Sequence, residues 1–98
     1  YSASKAAFES IARVANIELA DKGIRINSVR PGITATEIQS KAGMTETDQT
    51  ALFDTLGGTA LGRVLTPNDL TGAIEFLLSD QSLALRNAAI KIDGGHLL

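Results

Sequence analysis

Apolar residues recur at helical spacing over the first 22 residues of the chain. Neither Gly nor Pro occurs from Ser2 to Lys22, alanine is frequent, and Gly23 follows where a helix would end. We therefore predict a long helix over 2–22. Its apolar stripe consists of Phe8, Ile11, Ala12, Ala15 and Leu19, widened by Ala7, Val14 and Ile17. Because this stripe is wider than one core contact requires, we expect the helix to have two neighbours, a sheet and a helix of a second subunit.

The segment after this helix changes to the two-residue periodicity of a strand. Residues 24–29, with the sequence IRINSV, alternate apolar and polar side chains between turn-forming residues, which predicts a strand. A loop or short helix is predicted over 33–43. Residues 45–56 are predicted as a helix capped by Thr45, and because two glycines follow this polar segment we interpret it as a candidate lid.

A further helix and a further strand complete the pattern. Thr66 is the expected helix cap, Pro67 the first helical position and Asp69 an acid of the first turn, so we predict a helix that ends near Ser79. Its apolar face consists of Leu70, Ala73, Ile74, Leu77 and Leu78. Residues 88–92 are predicted as a short strand that stops at an Asp-Gly-Gly turn signal.

The order helix, strand, helices, strand indicates an α/β fold. A helical crossover between neighbouring strands normally makes the strands parallel. Two parallel strands are too few to form a sheet that is buried on both faces. We therefore expect the 98-residue chain to be incomplete alone, with further strands supplied by missing sequence or by another chain.

Composition and charge narrow the possible functions. With 44% hydrophobic and 20% charged residues, the chain has the composition of one soluble globular unit. Its net charge is -2 and its basic residues are scattered, so we expect no nucleic-acid partner, and its apolar runs are too short to span a membrane. The absence of cysteine fits a cytoplasmic location, and no cluster with metal-ligand spacing occurs. The opening YSASKAAF lacks the pattern of a signal peptide.

Tyr1 and Lys5 are the first candidates for chemistry. They are four residues apart on the predicted helix, so both side chains can reach one ligand atom. An ammonium group near a phenol favours the phenolate, which makes the phenol a better group for proton transfer. Taken alone, such a pair is far more often a surface tyrosine and a solvated lysine on an ordinary helix, because single short motifs are weak evidence.

Four segments together resemble the short-chain dehydrogenase/reductase family in order and spacing. They are Tyr1-Ser2-Ala3-Ser4-Lys5-Ala6-Ala7, then IRINSVRPG over 24–32, then Leu61-Gly62-Arg63 ahead of Thr66-Pro67, and finally Ile92-Asp93-Gly94-Gly95. The resemblance covers nearly the whole chain. It implies that residues 1–98 are the carboxy-terminal portion of a single Rossmann-like domain, a doubly wound parallel sheet, from the catalytic tyrosine onwards.

The resemblance also implies an activity and a cofactor. An enzyme of this family transfers a hydride between NAD or NADP and a ketone or secondary alcohol, with 3-oxoacyl reduction one common case. Tyr1 would be the general acid or base, and Lys5 would activate it and bind the ribose of the nicotinamide nucleoside. Tyr1 would also lie against the cofactor, and the P-G-x-x-x-T motif would supply the other cofactor-binding residues, Pro31, Gly32, Thr34 and Thr36. The main chain of Thr34 would contact the carboxamide, and Thr36 would bond near the carboxamide or a phosphate. Gly32 would let the backbone approach the cofactor.

Several residues depart from the family pattern or carry no expected chemistry. Thr34 replaces the usual Ile or Val, Ala60 replaces a common Pro, and Arg86-Asn87 stands where Thr-Gly is common, although Asn tolerates positive φ. We interpret four further polar residues as structural or solvated: Asn27 in its strand, Arg63 as a solvated or ion-paired group, Asp93 as a turn former, and His96.

Other functions remain open at this point. These 98 residues lack a counterpart of the family's glycine-rich turn, of its catalytic serine and of its relay asparagine. We therefore expect the 98 residues alone to bind dinucleotide weakly. One alternative is a noncatalytic association module, and another is an epimerase, dehydratase or enoyl reductase on the same scaffold. The resemblance implies a homo-oligomer, a dimer or tetramer, with a small carbonyl or alcohol substrate. Four apolar residues either line the substrate pocket or only pack their helix onto the core: Met44, Leu52, Phe53 and Leu56.

Overall fold

A computed structural model describes residues 1–96 of the chain and has the predicted order of helix, strand, helices and strand. The regular elements are α1 (Ser2–Glu18), β1 (Ser28–Pro31), α2 (Ile38–Lys41), α3 (Glu46–Thr55), α4 (Asn68–Leu78) and β2 (Ala89–Ile92). Short 3₁₀ turns follow three of the helices, at Ala20–Lys22, Leu56–Gly58 and Asp80–Ser82. The α/β class is confirmed.

The two strands are parallel, as the crossover predicts. Ser28 pairs with Ala89, and the register runs to Pro31 opposite Ile92. The Gly32 N–H continues the ladder by donating to the Ile92 carbonyl at 2.8 Å. The carboxyl ends of both strands therefore lie side by side, and in open α/β sheets this is the edge where ligands bind.

The first helix is shorter than predicted. It ends at Glu18 rather than Lys22, and a 3₁₀ turn over Ala20–Lys22 takes its place. In that turn Lys22 N–H donates to the Leu19 carbonyl at 3.1 Å, so the chain is wound more tightly before it reverses. Gly23, the predicted stop, has φ 69, a left-handed conformation that glycine adopts without a steric cost.

The predicted strand over 24–29 is wrong in its bounds, since β1 covers Ser28–Pro31. The backbone ahead of it is bonded to side chains and turns instead of to a strand. Ile26 exchanges two hydrogen bonds with the side chain of Asn16, and its carbonyl also accepts the Asn87 N–H at 3.0 Å. The Arg86 guanidinium donates to the Ile24 carbonyl at 2.8 Å. Alternation of side chains predicts an extended backbone, but not which groups bond to it.

The helix caps give one confirmed and one wrong prediction. Thr45 caps α3 by accepting the Asp48 N–H at 3.1 Å. Thr66 does not cap α4, because its hydroxyl and its N–H both donate to the Asp69 carboxylate, at 3.1 and 2.7 Å. The acid of the first turn reaches back to Thr66, and the helix begins after Pro67. The second strand, predicted over 88–92, is confirmed as Ala89–Ile92.

Most of the apolar surface of α1 is not covered by the described residues. Among residues 1–96, the buried hydrophobic side chains are Ala12, Leu56 and Leu65. Each of the stripe residues Phe8, Ile11, Val14 and Ile17 is more than half exposed. The two predicted neighbours of this helix therefore stay a prediction. Within residues 1–96, no helix is both long and apolar enough to cross a membrane.

Candidate functional site

Tyr1 is the residue immediately before α1, and Lys5 lies in the first turn of this helix. The Lys5 N–H donates to the Tyr1 carbonyl at 3.0 Å, and the Ser4 hydroxyl donates to the same oxygen at 2.7 Å. These bonds fix the first helical turn and bring the two side chains to one face. The Lys5 Nζ lies 5.4 Å from the centre of the Tyr1 ring, within the range of a cation–π contact. Tyr1 is 92% exposed, so its hydroxyl is open to a ligand.

A surface pocket brings these two residues together with the end of β1. Tyr1, Lys5 and Pro31 line it, and the remaining lining residues are Phe8, Glu9, Ser28, Val29 and Arg30. Gly32, Thr34 and Thr36 are not part of this lining. The structure therefore groups three of the six candidate site residues, and the other three continue from Pro31 along the same loop.

An ion pair that the sequence analysis missed joins α1 to β1 beside the pocket. The Arg30 Nε donates to a carboxylate oxygen of Glu9 at 3.0 Å, and a second guanidinium nitrogen lies 2.8 Å from the same oxygen. Both side chains are about half exposed, so the pair contributes little to stability. No local spacing rule relates residues 21 positions apart, so periodicity alone could not reveal it.

The loop after β1 is held by its own threonines. The Thr34 hydroxyl donates to the Gly32 carbonyl at 3.0 Å, so the departure from Ile or Val gives this carbonyl a partner. Thr34 also forms a parallel bridge with Leu65, where the Ala35 N–H donates to the Leu65 carbonyl at 2.8 Å. The Thr36 hydroxyl accepts the Ile38 N–H at 3.2 Å, which fixes the oxygen and leaves its proton to be donated.

Gly32 packs closely against Asp93, a contact that the sequence does not predict. A Cβ at this position would lie 2.8 Å from both Cα and Cβ of Asp93, in the turn after β2. The expected reason for Gly32 was approach of a cofactor, whereas the described structure places Asp93 against it. Close packing of the two loops at the sheet edge is thus one requirement for glycine here.

Gln39, in α2, is a buried residue that the sequence analysis did not single out. Its side chain is 8% exposed. Its amide nitrogen donates to the Thr34 carbonyl at 2.9 Å, and its oxygen accepts the Thr36 N–H at 3.3 Å. One side chain therefore connects the two threonines of the candidate cofactor loop. The only sequence signal is a glutamine three residues after Thr36, which is too common to be recognised.

The remaining polar residues have structural partners. Asn27 donates to the Leu85 carbonyl at 3.1 Å and accepts the Ala88 N–H at 2.9 Å, in agreement with a structural role. Arg63 forms a forked pair with Asp69, each nitrogen 2.7 Å from a carboxylate oxygen, as the ion-paired interpretation predicts. The hydrogen bond from Arg63, aided by the Thr66 N–H, holds the pKa of the Asp69 carboxyl well below its ordinary value.

The structure also bears on two smaller expectations. Asp93 forms a turn in which its side chain accepts the Gly95 N–H at 2.9 Å, as predicted. Leu56 is buried, at 4% exposure, and this favours packing over pocket lining for that residue. Within the part of the chain that the structure describes, no three His, Asp or Glu side chains are grouped to hold a metal ion.

Curated proteins of similar sequence cover almost all of this chain. Cyclopentanol dehydrogenase of Comamonas sp. (strain NCIMB 9872) is 34% identical over 96 residues, which are 98% of this chain and 37% of that protein. L-rhamnose 1-dehydrogenase (NAD(P)(+)) of Sphingomonas sp. (strain SKA58) is 38% identical over 95 residues, which are 97% of this chain and 36% of that protein. The chain thus spans less than two fifths of the length of these relatives.

Solved structures agree with the sequence relatives. A small-chain dehydrogenase in complex with NADPH superposes with a TM-score of 0.79 and 31% identity over 92% of this chain and 39% of that one. A 4-hydroxyisoleucine dehydrogenase complexed with NADH gives 0.80 and 30% identity over 99% of this chain and 39% of that one. A family model described as enoyl-(acyl carrier protein) reductase matches residues 1–96. The chain therefore belongs to the short-chain dehydrogenase/reductase family, and its helices and parallel strands form part of that family's Rossmann-like fold.

Proposed function

We propose that the protein containing this chain is an oxidoreductase that transfers a hydride between NAD or NADP and a ketone or secondary alcohol. The observation that carries the proposal is the pairing of Tyr1 and Lys5 on one helical turn, with Lys5 Nζ 5.4 Å from the Tyr1 ring, in a pocket that reaches Pro31. Residues 1–98 would be the carboxy-terminal portion of one larger domain.

The polar groups of the site fit the nicotinamide nucleoside half of such a cofactor. Lys5 offers an ammonium with three donors, which suits the two hydroxyls of a ribose, and it lies beside a phenol that can exchange a proton. Thr34 offers main-chain groups and Thr36 a hydroxyl proton, which suit a carboxamide. These residues are assigned to the nicotinamide end of the cofactor, so they would not distinguish NAD from NADP.

The proposed mechanism assigns proton transfer and positioning to the protein. When bound, the nicotinamide supplies or accepts the hydride. Tyr1 would donate a proton from its hydroxyl to the carbonyl oxygen during reduction and would accept the alcohol proton during oxidation. Lys5 would stabilise the phenolate by its positive charge and hold the ribose, so that the reacting atoms meet in a near-attack geometry.

The relatives support an alcohol or ketone substrate. The names of two of them specify cyclopentanol and L-rhamnose, both substrates oxidised at a hydroxyl-bearing carbon. The names of the solved neighbours specify NADPH and NADH. These facts concern those proteins. They favour a small hydroxylated or carbonyl compound here, without selecting one.

The direct test uses the protein as its gene encodes it, below called the encoded protein. Binding of NADH and NADPH is measured by fluorescence titration, and turnover is then followed at the nicotinamide absorbance with a panel of cyclic alcohols, sugars and ketones. We expect micromolar binding of at least one cofactor and turnover of at least one substrate class. If neither cofactor binds the folded protein, the dehydrogenase proposal is wrong, and a noncatalytic association module is the better account.

Two substitutions test the assigned roles. Tyr1→Phe should lower kcat by roughly 10²–10⁴-fold while cofactor binding is retained, because only the transferable proton is removed. Lys5→Met should lower kcat and also weaken cofactor binding, since Lys5 is assigned to both tasks. Lys22→Met, at an exposed lysine of the 3₁₀ turn after α1, is the control and should change neither quantity. Equal effects of Lys5→Met and Lys22→Met would contradict the assignment.

A second candidate reaction is reduction of an enoyl thioester. The observation that favours it is the description of the family model that matches residues 1–96, enoyl-(acyl carrier protein) reductase. Both reactions need a hydride and a proton donor, so the Tyr1 and Lys5 assignments do not separate them. Turnover of a 2-enoyl thioester by an encoded protein that leaves 3-oxoacyl thioesters, simple ketones and alcohols unchanged would favour this reaction.

The proposal also includes assembly and location. The apolar stripe of α1 is wider than one core contact requires, and this width supports a homo-oligomer, a dimer or a tetramer. Light scattering of the encoded protein tests this, and a monomeric mass at micromolar concentration would contradict it. The absence of cysteine supports a cytoplasmic location, which cell fractionation tests.

A further inference from the structure

We propose that Gln39 is a positioning residue for the nicotinamide carboxamide, acting through the two threonines of the cofactor loop. This inference rests on the proposed function. Gln39 is only 8% exposed, and its side chain is bonded to backbone groups of the loop. Its effect would be to fix the groups of Thr34 and Thr36 that are proposed to contact the ligand.

The geometry accounts for the choice of residue type. The Gln39 amide nitrogen donates to the Thr34 carbonyl at 2.9 Å, and the amide oxygen accepts the Thr36 N–H at 3.3 Å. Only Asn and Gln combine a donor and an acceptor of this kind at the end of a neutral side chain. A single buried side chain therefore sets the relative orientation of the two consecutive peptide groups on either side of Ala35.

The main chain of Gln39 strengthens this arrangement. Its carbonyl accepts the Met44 N–H at 3.1 Å, which ties the end of α2 to the following loop. The Thr36 hydroxyl accepts the Ile38 N–H from the start of the same helix. Since the N–H of Thr36 is bonded to Gln39 and its hydroxyl oxygen to Ile38, the hydroxyl proton of Thr36 is the group left to donate to a ligand.

Fixing these groups before binding lowers the entropic cost of binding. Without Gln39, the loop would have to order itself when the nicotinamide arrives, and the Thr34 carbonyl would have one partner fewer. The loss should therefore affect ligands that contain nicotinamide. Ligands that lack it, such as ADP-ribose, do not use the Thr34 and Thr36 groups and should bind as before.

The principal test compares Gln39→Met with the wild-type encoded protein. Methionine has nearly the same length and volume but forms neither of the two amide hydrogen bonds. We expect the Kd for NADH to rise roughly tenfold, from the loss of positioning hydrogen bonds, and the Kd for ADP-ribose to stay within about twofold. If the protein prefers NADPH, the comparison uses NADPH and 2′-phospho-ADP-ribose.

Two further variants keep the test decisive. In Gln39→Glu, the carboxylate still accepts the Thr36 N–H but has no donor for the Thr34 carbonyl. This variant replaces Gln39→Met in the binding comparison if the methionine variant does not fold. Gln49→Met is the matched control, because Gln49 is a partly buried glutamine of α3 whose amide donates to the Ser40 hydroxyl of α2 at 3.1 Å and to the Met44 carbonyl at 3.2 Å, but to neither Thr34 nor Thr36. It should leave the binding of both ligands unchanged.

A measurement without cofactor tests whether Gln39 orders the loop, independently of cofactor binding. Hydrogen exchange of the Thr36 N–H should be slow in the free wild-type protein and at least roughly tenfold faster in Gln39→Met. Equal NADH affinity in wild type and Gln39→Met would overturn the inference, and so would an equal weakening of NADH and ADP-ribose, which indicates a general structural role. If the folded wild-type protein binds neither NADH nor NADPH, it is the proposed function that fails, and this inference fails with it.

Discussion

Asn16 is bonded to both backbone groups of Ile26. Its side-chain nitrogen donates to the Ile26 carbonyl at 2.9 Å, and its side-chain oxygen accepts the Ile26 N–H at 3.0 Å. The same nitrogen donates to the Ala12 carbonyl one helical turn earlier, at 3.0 Å. A polar residue that is 6% exposed thus attaches α1 to the segment that leads into β1. The candidate catalytic residues lie on this helix, so their position relative to the cofactor loop depends partly on Asn16.

Asn16→Ala should destabilise the encoded protein by about 1–3 kcal/mol, because it leaves two partly buried backbone groups of Ile26 with fewer partners. The free energy of unfolding is measured by urea denaturation. Asn68→Ala, at an exposed asparagine of α4, is the control and should change it by less than about 0.5 kcal/mol. If both substitutions have the same small effect, the bonds between Asn16 and Ile26 do not contribute to stability.

Gly32→Ala should separate the loops at the carboxyl ends of the two strands. The added methyl group would meet the backbone of Asp93 at 2.8 Å, which no side-chain rotation can relieve. We expect a loss of about 1–3 kcal/mol in the free energy of unfolding, the usual cost of overpacking. Gly58→Ala is the control, since nothing lies within 4 Å of a Cβ there. A Gly32→Ala protein as stable as Gly58→Ala would show that the Asp93 loop moves aside without cost.

The sequence predicts the order of the elements well because each has a local signal. The alanine-rich run predicts α1, the Thr45 cap predicts α3, and the Asp-Gly-Gly turn predicts the end of β2, all of which the structure confirms. Strand bounds are predicted less well. Alternation from residue 24 indicates an extended backbone, but the ladder starts at Ser28, where β2 begins to provide a partner.

Only those parts of the site that have a local sequence signal could be predicted. Tyr1 and Lys5 have a helical spacing that periodicity makes visible, and the pocket confirms that they lie together. Gln39, Asn16 and the pair of Glu9 with Arg30 were missed. Each of them depends on contacts between segments or on burial, and the identities of single residues do not reveal either.

Asn87 lies in a backbone conformation that glycine adopts more easily. Its φ is 57, and its N–H donates to the Ile26 carbonyl at 3.0 Å. Asn87→Ala should lower the free energy of unfolding by about 1 kcal/mol, because a Cβ is unfavourable in the left-handed region and Asn tolerates it better than Ala. Asn87→Gly should leave the free energy of unfolding within about 0.5 kcal/mol of wild type. Glycine removes the strain of positive φ in the folded state, but it also gives the unfolded chain more backbone freedom, and the two effects offset each other. Thermal unfolding of the three proteins in one buffer gives the order, and an alanine variant equal to wild type would contradict the argument.

Asp69 gives the fold a contribution to stability that depends on pH. Hydrogen bonds from Arg63 and from the Thr66 N–H hold the pKa of its carboxyl below the ordinary value of 3.8. A carboxyl whose pKa is lower in the folded state stabilises the fold above its unfolded pKa, and this stabilisation is lost as the pH falls towards the folded pKa. The urea midpoints of the wild type and of Asp69→Asn should therefore differ most from roughly pH 5 to pH 7 and converge as the pH falls below about 4. Glu75→Gln, at an exposed acid of α4 without an ion pair among the described residues, is the control and should show no such convergence. A wild-type advantage over Asp69→Asn that stays constant from neutral to acid pH would contradict the assignment to the ionised pair.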